Sequence, residues 1–293
     1  MLGQLPGPRE VFLDHVAHFV PAMSSAAAAL EDCGFRLTPF TAQTNQIDGK
    51  RVAAGTANRC AMLRQGYIEI LAATEDTPLA RQLQQRLVLH VGLHLAAFSS
   101  ADAGGEHRRL ADAGFPVQPL LDMYRPVSTD SGEQDAHFTI ARIARGEMPE
   151  GRMQFLTHHT EHLVWRTGDL DHPNGAEALL ALWIAAADPD EPARRFARFT
   201  GRPAVRNREI TTIALDRGCL RFASPDHLHH RFGIASGPPL PYLAAYEISV
   251  GDLNRLGRCV ASAGLALQAT EGGVVLMLPQ SVGGAIVFRS QTG

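Results

Sequence analysis

Lysine is almost missing from this chain of 293 residues. Lys50 is the only one, and arginine carries nearly all of the basic charge. Such a skew fits a coding bias, so no single arginine marks an anion site. Cysteine is also sparse. Cys33, Cys60, Cys219 and Cys259 lie far apart without a C-x-x-C pair, which argues against a zinc ribbon or a dithiol redox centre. Free thiols in a reducing compartment are the expectation. No apolar run approaches the length of a membrane span. Met1 to Glu10, with Pro6 and Pro8, has no apolar core of a secretory signal, so the expected location is the cytoplasm. The formal charge of −3 gives no electrostatic reason for a nucleic-acid or anionic-membrane partner. No G-x-S-x-G, P-loop or G-x-G-x-x-G motif supports a hydrolase or a nucleotide-binding protein.

What is present is globular composition, 45% hydrophobic and 19% charged, organised by an internal repeat. Leu30 to Phe40 (LEDCGFRLTPF) and Leu110 to Leu120 (LADAGFPVQPL) match at an offset of 80. Each copy reads as a helix end, a Gly C-cap and a strand. A helical stretch precedes each copy, Ser24 to Leu30 and Ala101 to Leu110, and a strand precedes each helix, Phe12 to Val20 and Leu89 to Phe98. Two strands follow, Arg59 to Leu63 and Tyr67 to Leu71 in the first copy, Ala136 to Ala144 and Arg152 to Thr157 in the second. Each unit reads β-α-β-β-β.

A weaker version continues beyond a seam at Gly151 to Glu161. It predicts a strand at Glu161 to Arg166, a helix at Ala176 to Ala187, and a short helix at Pro192 to Phe199 ending at Gly201. Strands follow at Arg208 to Leu215 and Cys219 to Ala223. The last unit has a strand at Tyr242 to Val250, a helix at Leu253 to Ser262, and strands at Gly273 to Leu278 and Ala285 to Arg289. The expected fold is α+β, four modules in two halves, residues 10–157 and 158–290.

LDHVAHFV at Leu13 to Val20, GTAN at Gly55 to Asn58, GYIEIL at Gly66 to Leu71 and HPNG at His172 to Gly175 together resemble the vicinal-oxygen-chelate superfamily, and within it the glyoxalase-like proteins. The resemblance covers nearly the whole chain. It implies paired β-α-β-β-β modules whose curled sheets form an open cup around a divalent metal, with ligands from the first and fourth strands.

The residues can also be read directly. Strand alternation puts Leu13, His15, Ala17 and Phe19 on one face and Asp14, Val16, His18 and Val20 on the other. In the second unit His90, Gly92, His94, Ala96 and Phe98 share a face opposite Val91, Leu93 and Leu95. Matching the two faces brings His94 onto His15 at an offset of 79, which requires a one-residue insertion near Gly104-Gly105. Without that gap, Leu95 takes the place opposite His15. Glu69 shares a face with Tyr67 and Leu71, and such a carboxylate is costly to bury without a partner. Gln154 is its counterpart in the second unit. His15, His94 and Glu69, with Gln154 optional, could close around Zn, Ni, Mn or Fe and leave positions for substrate. A hydrogen-bonded core role for His15 and pairing of Glu69 with Arg59 or Arg64 are the simpler alternatives.

Other histidines have plainer readings. His90 is expected in the core or near the substrate. Of His158, His159 and His162, one could face the cup as an acid or base. HPNG is expected as a turn with Asn174 capping a helix, and Asp226 to Arg231 as an exposed loop. In the second half Ala245 or Tyr246, and Val287, fall where ligands would be expected, so that half is read as structural or as completing the substrate cavity.

The function expected from the resemblance is a metal-dependent enzyme acting on a small substrate with vicinal oxygens, a lyase or isomerase, or a dioxygenase if the metal is iron. Glu69 would double as the catalytic base. The alternatives are a metal-free protein that sequesters a small molecule in the same cup, and a structural dimer with a vestigial cup. Modules of this kind also pair between chains, which leaves a homodimer open.

Overall fold

A computed structural model describes residues 3–47, 50–129, 132–235 and 237–290. The first module consists of β1 (Phe12–Phe19), α1 (Met23–Asp32), β2 (Thr41–Ile47), β3 (Lys50–Met62) and β4 (Tyr67–Ala73). The helix α2 (Pro78–Leu87) leads to the second, β5 (Gly92–Ser99), α3 (Ala103–Asp112), β6 (Leu121–Thr129), β7 (Gly132–Arg142) and β8 (Arg152–His158). One helical turn, α4 (Glu161–Val164), leads to the third: β9 (Ala176–Ala185), α5 (Asp190–Thr200), β10 (Ala204–Asn207), β11 (Ile210–Ala214) and β12 (Cys219–Ala223). After α6 (Pro225–Phe232) the fourth runs through β13 (Tyr242–Val250), α7 (Leu253–Ser262), β14 (Gln268–Thr270), β15 (Gly273–Met277) and β16 (Ala285–Ser290). The four β-α-β-β-β units are present, and a helix links each to the next.

The first eight strands close into a barrel in the order β1-β4-β3-β2-β6-β7-β8-β5, and the last eight form an open curled sheet, β10-β11-β12-β9-β13-β16-β15-β14. Ala17, Phe19, Tyr67, Leu71, Leu95, Ala97 and Leu156 fill the barrel, with Leu83 of α2 and Leu163, Val164 and Trp165 at α4. A second core runs continuously between barrel and open sheet, joining Val16, Leu30 and Phe98 to Leu182, Phe199 and Tyr246. Stacked Phe155 and Phe199, 5.1 Å between ring centroids, are part of that seam.

Three expected elements differ. Ala176 to Ala185 is a strand, not a helix: β9 lies between β12 and β13 with both faces covered, so its apolar run has no alternation to betray it. Glu161 to Arg166 opens with the turn of α4 instead of a strand. Asp226 to Arg231 belongs to α6, whose Ser224 side chain accepts from the backbone N of His227 at 3.2 Å and whose Gly233 ends it in the left-handed region. Leu228 and Phe232, one turn apart, bury into the cup of the open sheet, and only the polar face resembles a loop.

The register corrects the strand faces. β1 pairs antiparallel with β5, with Leu13 opposite Phe98, His15 opposite Ala97, Ala17 opposite Leu95 and His18 opposite Leu93. Asp14 is therefore an extra residue in a β-bulge on β1, and His94 is the extra residue of a matching bulge on β5. The bulges keep the offset of 80, from Asp14 to His94 and from His15 to Leu95, without an insertion near Gly104-Gly105. A glycine serves each one. A Cβ on Gly66 would lie 2.7 Å from the Asp14 carbonyl oxygen, and one on Gly151 would lie 2.5 Å from that of His94. Leu180 and Ala244 occupy the same bulged place in the later modules, with Gly218 and Gly284 beside their carbonyls.

Candidate active site

The bulge at Asp14 turns two successive polar side chains toward the barrel interior. The His15 ring stacks on Tyr67, 4.2 Å between centroids, and Nδ1 meets Asp14 Oδ1 at 2.6 Å. His158, at the end of β8, reaches the other Asp14 oxygen with Nε2 at 2.9 Å. Burial pushes the Asp14 carboxyl up, but the His158 charge and hydrogen bonds from both imidazoles outweigh it and hold the group well below the usual carboxylate range. With Asp14 ionised, both imidazoles donate to it. His15 is thereby set with its Nε2 lone pair directed away, toward Glu69 Oε2 at 3.8 Å.

Glu69 projects inward from β4. Its Oε1 accepts from Asn58 Nδ2 at 2.6 Å and from Gln43 Nε2 at 3.4 Å, and Thr56 donates to Gln43 Oε1 at 2.7 Å. These neutral donors, not Arg59 or Arg64, answer the cost of burying the carboxylate. Arg59 is engaged with Glu31 and the Thr38 carbonyl. Asn58 Oδ1 is left buried without a partner among the described residues. His15, Asn58, Glu69 and Gln154 surround a cavity of about 50 Å³, whose wall also carries Arg125, Arg142 and Arg152.

His94 does not join them. As the extra residue of its bulge it turns out of the barrel cavity, donating from Nε2 to the His90 carbonyl at 2.8 Å, with its ring 4.0 Å from that of His90. Burial and the neighbouring His90 push its pKa down to about 3. Leu95 occupies the position equivalent to His15: Ala17 pairs with Glu69, Ala97 with Gln154, His15 with Tyr67, and Leu95 with Arg152. Gln154 does face the cavity, but its Oε1 accepts from Arg142 Nε at 2.9 Å.

A resident divalent cation needs several strong donors aimed at one point. Here His15 Nε2 and Glu69 Oε2 converge, an aliphatic side chain and an arginine-bound amide take the other two places, and three guanidinium groups share the wall. Among the described residues no three His, Cys, Asp or Glu side chains are grouped to hold a metal ion. The donor set does not fit a resident divalent metal.

The other candidates serve the framework. His172 Nε2 donates to the Met62 carbonyl at 2.8 Å and its Nδ1 accepts from the Arg36 amide. Asn174 caps no helix; it donates to the Cys33 carbonyl at 2.9 Å and accepts from the amide of Ala176, where β9 begins. HPNG thus ties the first module to the third. His159 contacts Thr139 and His137. In the open sheet the register equivalents of the barrel site are Ala181, Arg221, Ala245 and Val287. Glu247 there accepts from Trp183 Nε1 at 2.8 Å and pairs with Arg221 and Arg289. Trp183, Leu228, Phe232 and Ile234 fill that cup.

Asp14, Gln43, Asn58 and the three cavity arginines carried no site assignment in the sequence. Asp14 and Asn58 alone had a signal, their places in LDHVAHFV and GTAN.

No helix of the described residues is long and apolar enough to cross a membrane. No curated protein sequence matches the chain significantly. Among solved structures, a hypothetical protein from Staphylococcus aureus superposes with a TM-score of 0.66 at 12% identity, covering 96% of this chain and 99% of that one. A mutant of 4-hydroxymandelate synthase from Streptomyces coelicolor gives 0.58 at 14% identity, covering 97% and 93%. A Mn(II)-bound glyoxalase from Novosphingobium aromaticivorans gives 0.54 at 9%, covering 98% and 83%. At such identities the likeness speaks for the fold alone. The family model for the glyoxalase-like domain matches residues 13–200, which include the barrel from Leu13 onward and its site, and the chain belongs to that family.

Proposed function

We propose that the barrel cavity is the active site of an enzyme that moves a proton next to a carbonyl in a small substrate with adjacent oxygens, an isomerase or lyase. One observation carries this reading: His15 Nε2, freed as an acceptor by the Asp14 contact, stands 3.8 Å from Glu69 Oε2 on the lining of the same cavity. That gap is too wide for a hydrogen bond. The two basic atoms stand side by side at the cavity, so a substrate carbon seated against the pair, not between them, can lose a proton to one and regain it from the other. Asn58 and Gln43 hold Glu69 in place through its second oxygen. Arg142 and Arg152 on the wall supply fixed positive charge for a developing oxyanion.

The test is solvent-deuterium exchange followed by NMR across a panel of α-hydroxycarbonyl and α-dicarbonyl compounds. The expected result is exchange at the carbon next to the carbonyl, slowed by about 10²-fold or more in His15→Ala and in Glu69→Gln. Full exchange in a folded His15→Ala protein would overturn the proposal.

The facing of His15 Nε2 and Glu69 Oε2 also supports a second reading. On that reading a divalent ion would arrive with the substrate; His15 and Glu69, with Gln154 released from Arg142, are the residues that would hold it, and it would supply charge for a developing oxyanion. Elemental analysis and chelator treatment of untagged protein separate the two readings, since activity that survives chelation belongs to the first. A protein that only sequesters its ligand would bind it in chelator and show no exchange.

A further inference from the structure

Beside the barrel cavity lies a larger one of about 340 Å³, and Arg142 and Arg152 line both. Arg86 and Arg145 complete its basic lining, Phe19 and His94 belong to the same wall, and no Asp or Glu lies on it. Composition does not explain four arginines without a carboxylate, because acidic residues outnumber basic ones, 30 to 27. Several arginines elsewhere in the chain pair with carboxylates, as Arg195 does with Glu150 and Glu191 and Arg202 with Asp216.

The four cavity arginines have weaker company. Arg142 donates to the Gln154 amide oxygen, Arg86 donates to the Pro149 carbonyl at 2.9 Å, and Arg152 sits 5.5 Å above the Phe19 ring. Among the described residues none of the four is within ion-pairing distance of a carboxylate. Burial lowers the pKa of Arg142 to about 10. Burial, then repulsion from Arg142, lowers that of Arg152 to about 9, with Glu69 the only group pulling either one up. Guanidinium groups crowded in this way are stabilised by an anion that accepts from several of them at once.

We infer that this second cavity binds the anionic group, a phosphate or a carboxylate, of the substrate whose reacting carbons lie against His15 and Glu69. The inference rests on the barrel cavity being the reaction site. It adds that the substrate is an oxyanion, anchored through Arg142 and Arg152 one side chain away from the chemistry. The volume suits an anionic tail with part of its carbon chain.

The probes are inorganic phosphate and succinate, titrated calorimetrically into the full chain at low ionic strength, with sodium chloride as the matched control. Saturable binding of at least one probe, absent for chloride, is expected. Arg86→Gln and Arg145→Gln, at the half-buried and exposed ends of the cluster, should each weaken it by about tenfold. Arg152→Gln should abolish it, while Arg152→Lys retains part. Preference for phosphate over succinate, or the reverse, identifies the anion. His15→Ala should leave probe affinity within about twofold, since that side chain lies outside this cavity. Absence of saturable binding, or unchanged affinity in both Arg86→Gln and Arg145→Gln, would overturn the inference even if deuterium exchange persisted. Probe binding that persists without exchange would instead count against the reaction.

Discussion

Replacing Leu95 by histidine should convert the barrel cavity into a metal site. Leu95 pairs with Ala17 and Arg152 and holds, in the second module, the place of His15 in the first. An imidazole there would join His15 and Glu69 as a third strong donor. Structural zinc sites bind with roughly 10–16 kcal/mol through four ligands, or about 3 kcal/mol for each. Repulsion from Arg142 and Arg152 offsets part of that, leaving ~1.5–3 kcal/mol, a tightening of about 10- to 150-fold. The substitution also removes a leucine that is 2% exposed, at a cost of about 2–3 kcal/mol in the metal-free protein. Bound metal should recover stability in proportion to its concentration over the dissociation constant. The assay is calorimetric titration of Zn²⁺ and Mn²⁺ into untagged wild type, Leu95→His and Leu95→Ala, with urea denaturation of each. Wild type binding either ion as tightly as Leu95→His would refute the argument, because His15, Glu69 and Gln154 would then suffice.

Asp14→Asn should keep the fold and lower exchange activity by ~10²-fold or more, since an amide no longer fixes the His15 tautomer; activity equal to wild type would show that Asp14 does not orient the base. Gly151→Ala places a methyl 2.5 Å from the His94 carbonyl oxygen, a backbone atom that cannot swing aside. It should cost about 2–4 kcal/mol in urea denaturation, and a loss under 1 kcal/mol would mean the bulge adjusts freely. Acid should also destabilise the fold through its buried imidazoles. Burial lowers His18 from 6.5 to about 4 and His94 from 6.5 to about 3, so the unfolded chain takes up protons first. Their contribution is complete above pH 6.5 and fades as pH falls toward those values, by at most roughly 3 kcal/mol for His18. His18→Gln should flatten urea midpoints plotted between pH 7 and pH 4.5, and an unchanged slope would exclude that residue as the cause.

The repeat was legible because each module spends its strongest local signals, a helix end, a left-handed glycine and a following strand, in the same order. His15, Glu69 and Gln154 could be placed on the inward face because alternation holds locally at each of them. Alternation failed at Asp14 and His94, since a bulge adds one residue without any distinctive residue type at the bulge itself. The compensating glycines, Gly66 and Gly151, sit more than fifty residues downstream. β9 was read as a helix because a strand covered on both faces loses its period. The arginines that share the cavity with His15 are contributed by β6, β8 and the end of β7, and only closure of the barrel brings them together. In a chain with a single lysine, an arginine that binds substrate looks like any other.

The four bulges have a consequence for how such a protein acquires chemistry. Each module offers, beside the inward row where His15 and Leu95 stand, one extra backbone slot whose side chain escapes strand alternation. The slot holds Asp14, His94, Leu180 and Ala244 in turn. In the first two modules a glycine makes room for the extra carbonyl, so the occupant's side chain is not what accommodates the bulge. In the first module the slot holds the carboxylate that fixes His15, in the second a histidine turned out of the cavity, and in the last two an aliphatic residue. Three further copies of the position held by Asp14 are thus built into the scaffold, each next to a site where one substitution would supply the group to be oriented.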